Sequence, residues 1–74
     1  MLRTLTKWFD ARRRKLDTQI LFPEFRRYKQ SQGMTSIELE HGILWHMQHD
    51  PAWANCFSNE QLQELARQYA NDTD

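Results

Sequence analysis

The chain has one cysteine, two glycines and two prolines in 74 residues, and its longest apolar runs are only "ILF" at 20–22 and "ILW" at 43–45. A lone Cys56 forms no internal disulfide, so no disulfide framework holds this fold together. Runs that short fall far below the roughly 20 apolar residues that span a bilayer. No small-residue cleavage site follows a hydrophobic stretch near the amino terminus, so the expected address is cytoplasmic, with no transmembrane segment. Scarce glycine and proline, set against 39% hydrophobic residues with three Trp, four Phe and two Tyr, exclude a disordered chain. No Gly-rich loop, paired-carboxylate motif or other catalytic signature is present. A chain of this size buries only about 60% of its unfolded surface and offers little pocket volume. The expectation is a non-enzymatic protein without a cofactor.

Net charge is absent too, but its zero is a sum of opposites. Residues 1–33 carry nine Lys or Arg against three acids, while residues 34–74 carry one Arg against seven acids. The first half is therefore basic and the second acidic. Such a split steers association, with a partner or between the halves themselves, without determining a fold.

What is present is helical periodicity. From Leu2 to about Leu16, the residues Leu2, Leu5, Trp8, Phe9 and Leu16 fall on one arc at 100° per residue, with Arg3, Lys7 and Arg14 opposite. Arg12 and Arg13 border the apolar arc, where their stems can cover hydrophobic surface. "TQILF" at 18–22 is expected to end this helix and connect to the next. Pro23 suits the first turn of a second helix and Gly33 its stop, which places Phe25 and Tyr28 inward. Thr35 and Glu38 form a capping box for a third helix from Ser36 to about His49, whose apolar residues cover a broad arc. Asp50 and Pro51 start a short helical turn, "PAWANCF". Ser58 and Gln61 repeat the capping-box pattern for a last helix from Asn59 to about Ala70, followed by a frayed tail, 71–74. The chain thus reads as one all-α domain, a small irregular bundle of about four helices plus a short helical turn.

Several constellations compete for a function. His46, His49 and Cys56 are the candidate zinc ligands, but their spacing does not bring a full set to one helix face, and no metal is expected. Glu38 and His41 make a single Glu-x-x-His pair where di-iron bundles need two. For nucleic acid, the basic half offers many phosphate partners, and "YKQSQGMTSIELEHGIL" resembles a helix-turn-helix spacing with Gly33 at the turn. Lys29 stands where that motif wants a small residue, and Glu38 and Glu40 would meet phosphates badly. The first helix could also touch a membrane surface, weakly, because it is short and carries Asp10 and Asp17.

Aromatic residues and arginine are the side chains most enriched at interface centres. The reading favoured by composition is therefore a protein-binding adaptor, regulator or inhibitor that docks on a larger protein. Its expected contact residues are Trp8, Arg12, Arg13, Arg26, Arg27, Trp45 and Trp53. A small nucleic-acid-binding regulator is the alternative, and the opposite charges of the two halves permit a homodimer.

Overall fold

The computed structural model describes residues 2–71, with side-chain surroundings from residue 6 onward. The tail beyond Asn71 and the side chains of Leu2, Arg3 and Leu5 lie outside the described residues. The fold is all-α, with helices α1 (Leu2–Leu16), α2 (Phe22–Ser31), α3 (Ser36–His49), α4 (Pro51–Ala54) and α5 (Asn59–Asn71). The molecule is elongated, 46 × 23 × 17 Å.

The expected connector at 18–22 is not a break. Asp17–Leu21 forms a π-helical turn in which the Phe22 N–H donates to Asp17 O, and Leu16, Leu21 and Phe22 all keep right-handed helical dihedrals. One long bent helix therefore runs from Leu2 to Ser31. Pro23 explains the wide turn, because inside a regular α-helix its ring would collide with the carbonyl four residues back and a donor would be missing. A π turn just before it relaxes that crowding, and bends of this kind are usual at Pro and at π-bulges.

The other local signals give the elements they predict. Gly33 takes φ +87°, and the Gly33 and Met34 N–H groups donate to Gln30 O and Lys29 O at 3.0 Å, a Schellman ending for α2. Thr35 Oγ1 accepts from Glu38 N while the Glu38 side chain accepts from Thr35 N, completing the capping box of α3. Asp50 Oδ1 accepts from Ala52 N at 3.0 Å and starts α4 with Pro51 in its first turn. Ser58 and Gln61 exchange the same reciprocal pair at α5, 2.8 and 3.2 Å.

The core lies mainly between α3 and α5. Leu39, Ile43 and Met47 form one ridge at i, i+4, i+8, and Leu62, Ala66 and Ala70 form its counterpart; all six are buried. The alanines leave room for the α3 ridge to approach closely, as ridge-into-groove packing requires. Phe22, Ala52 and Trp53 close one end of this core. Trp53 is its aromatic centre, with ring centroids 5.6 Å from Phe22, 5.9 Å from Phe57 and 6.1 Å from Tyr69. Phe25 packs on the core edge as expected, whereas Tyr28 is turned out to solvent.

Candidate functional site

Helix α1 is turned inside out relative to its periodicity. Trp8, Phe9 and Leu16, on the apolar arc, are exposed at 54%, 58% and 43%. The turn from Thr6 to Phe9 is exposed on every residue, so it carries no buried face at all. Contact with the body is made instead by Arg14, Asp17 and Thr18, of which Asp17 is buried and the other two are partly buried. The expectation that Arg14 lies on the outer, solvated face is therefore reversed. Its Nη1 donates to Ala52 O at 2.7 Å and to Cys56 Sγ at 3.0 Å, and its guanidinium carbon stands 5.6 Å from the centre of the Phe57 ring. Carbonyls near a helix carboxyl end are unsatisfied and electronegative, so an arginine is well matched to close α4.

At the π turn, three titratable side chains meet. Asp17 is 4% exposed, and its Oδ2 accepts from Trp53 Nε1 at 2.8 Å. A buried indole N–H needs an acceptor, and this one is supplied from across the core. His46 Nε2 stands 3.4 Å from Asp17 Oδ2 and 3.4 Å from Asp50 Oδ2. Asp50 Oδ1 is committed to the α4 cap, but its Oδ2 is shielded from solvent and has no hydrogen-bond partner. Arg13 approaches from the solvent side, with Nε 3.7 Å from Asp17 Oδ1 and Nη2 3.5 Å from Asp50 Oδ2; its side chain is 57% exposed. Among the described residues, one ligand atom each from Asp17, His46 and Asp50 lies within 4.8 Å of the others, close enough together to share a metal ion.

Beside this cluster the surface mixes aromatic and apolar side chains with charged ones. Trp45, 62% exposed, stacks on the His49 ring with centroids 4.2 Å apart. Arg13, Trp45, His46, His49, Asp50 and Pro51 line one shallow cavity, and a second, of about 230 Å³, runs from Trp45 and His46 to Leu21, Phe22 and Phe25. Ile20 and Leu21 are exposed on the π turn, extending the apolar stripe of α1 toward Trp45.

The expected contact residues therefore divide. Trp8 and Arg12 are together on the outer face of α1, the guanidinium 5.8 Å from the Trp8 ring centre, while Arg13 and Trp45 share a cavity. Arg27 is exposed on α2. Trp53 and Arg26 do not belong to a docking surface: Trp53 is 2% exposed at the core centre, and Arg26 is 4% exposed with Nη1 donating to Tyr69 O at 2.7 Å. Both were candidates by residue type, but the core needed a large ring and the α2–α5 contact needed a donor. The zinc candidates also separate. His46 enters the cluster, His49 has Nδ1 2.8 Å from its own helix carbonyl at Trp45, and exposed Cys56 accepts from Arg14.

Asp17 and Asp50 are the residues that sequence reasoning missed. Asp50 reads as a helix cap, which it is, and its i, i+4 relation to His46 is the one local sign of a shared face. Asp17 reads locally only as the i, i+4 partner of Arg13, because His46 and Trp53, which it meets in the cluster, lie 29 and 36 residues away. No helix among the described residues is long and apolar enough to cross a membrane. No protein-family model, curated protein or solved structure matches this chain.

Proposed function

We propose that the chain is a protein-binding adaptor or regulator whose α1 docks in an apolar groove rimmed by carboxylates on a larger partner. The observation that carries this reading is the outward apolar stripe of the long helix, Trp8, Phe9, Leu16, Ile20 and Leu21. An amphipathic helix ordinarily buries its apolar side, and contiguous exposed apolar surface marks an interaction site. The partner's acidic rim follows from charge: α1 carries Arg3, Lys7, Arg12, Arg13, Arg14 and Lys15 against Asp10 alone. Helix-in-groove docking anchored by aromatic residues is a common recognition mode, with the flanking cations setting the association rate. Trp8, Phe9 and Arg12 are the central contacts, Trp45 extends the face, and Arg27 is peripheral.

The test is capture from a lysate of the source cells, followed by titration of the purified partner at two salt concentrations. Binding should weaken with salt and be lost in Trp8→Ala combined with Arg12→Glu, a pair that leaves the Asp17 cluster untouched. A captured set unchanged by that double variant sinks the reading. Salt-sensitive binding to duplex DNA, or to anionic vesicles with a blue shift of Trp8 emission, would reassign the same face to nucleic acid or to a lipid surface. A Trp8-dependent dimer in light scattering would assign it to a second copy of the chain.

A further inference from the structure

We propose that Asp17, His46 and Asp50 form a binding site for one zinc-class divalent ion at the π turn of the long helix. One imidazole nitrogen and two carboxylate oxygens are a donor set that zinc accepts, leaving a fourth position for water. Two of the three spacings fit directly: His46 Nε2 is 3.4 Å from each Oδ2, and all three ligand atoms lie within 4.8 Å of one another. Metal–ligand bonds of about 2.1 Å in tetrahedral array place ligand atoms about 3.4 Å apart.

The same distances fit hydrogen bonding poorly. A charge-assisted N–H···O bond closes to about 2.7–2.9 Å. His46 Nε2 carries at most one proton and stands equally far from two carboxylates, so one proton cannot serve both well. Asp50 Oδ2 is left buried with no hydrogen-bond partner, in a side chain only 12% exposed. Its other oxygen is pinned to the α4 cap, which aims Oδ2 into the cluster. Trp53 Nε1, donating to Asp17 Oδ2 at 2.8 Å, is the kind of outer hydrogen bond that orients a ligating carboxylate.

Arg13 is the rival cation. It makes long ion pairs to both carboxylates from a mostly exposed position, so an entering ion displaces it toward solvent. That rivalry supplies a test that loss of folding cannot imitate. The full chain is titrated with Zn²⁺ by calorimetry and with Co²⁺ by visible absorption, with circular dichroism as the fold check. Expected are one ion per chain, four-coordinate Co²⁺ bands and a raised melting temperature. Asp50→Asn keeps a good helix cap but should weaken binding by at least about tenfold. Arg13→Ala should tighten it, while His49→Ala and Cys56→Ser should leave it unchanged. No saturable binding up to ~1 mM Zn²⁺ overturns the proposal. So does binding that is indifferent to Asp50→Asn, weakened by Arg13→Ala, or lost in the His49 or Cys56 variant.

Discussion

Helix α1 and the α3–α5 pair use amphipathic periodicity in opposite ways. In α5 the apolar positions Leu62, Ala66 and Ala70 face Leu39, Ile43 and Met47 of α3, and together they make most of the core. In α1 the apolar positions Trp8, Phe9 and Leu16 face solvent, while Arg14 and the adjoining Asp17 face the body. Periodicity says that a helix has two faces. Which face turns inward depends on what the rest of the molecule offers it. The α3–α5 seam offers apolar surface, whereas the body beneath α1 offers specific polar partners: the Ala52 carbonyl, the Cys56 sulfur and the Trp53 indole N–H.

Four substitutions test this contrast. Leu39→Ala, at a fully buried position on the α3 ridge, should cost about 2–5 kcal/mol in denaturant unfolding. Asp17→Ala leaves the buried Trp53 N–H without its acceptor, and the same measurement should give a loss of about 1–3 kcal/mol. For Arg14→Ala the expected loss is smaller, about 1 kcal/mol. Its signature is regional: amide exchange should speed up in α1 while protection along α3 and α5 is retained. Trp8→Ala should leave stability within about 0.5 kcal/mol of the parent even though it deletes an entire indole. A loss at Trp8 comparable to that at Leu39 would mean that the outer stripe is core after all, and the docking face would be withdrawn.

Placement of the Asp17 cluster beside the π turn gives the long helix a defined joint. The turn lifts Asp17 into the core next to Trp53, and the following α2 carries Phe22 against the same ring. Around this joint the molecule changes character, from an arm with polar contacts to a body with apolar ones. An ion held by Asp17, His46 and Asp50 would tie the joint to the α3–α4 junction, stiffening the arm that the proposed partner grips.

Much of the fold was legible because helix ends are local events. The boxes at Thr35 and Ser58, the Asp50–Pro51 start and the Gly33 stop each involve residues within a few positions of one another, and each forms as its spacing predicts. Pro23 does stand in the first turn of α2, as expected, but the break expected before it at 18–22 is absent. Its local preference is for a helix start, but the π turn ahead of it let the helix continue.

The all-α class, the bounds of α3 and α5, the start of α4 and the division into basic and acidic halves were readable from the chain alone, since these follow from short-range hydrogen bonding and composition. The interior placement of Trp53 and Arg26, the outward turn of the aromatic side of α1 and the meeting of Asp17 with His46 and Asp50 were set by packing of the whole chain. Those outcomes depend on contacts 29 to 43 residues apart, where each side chain goes to whatever acceptor, donor or apolar surface the folded body leaves unfilled.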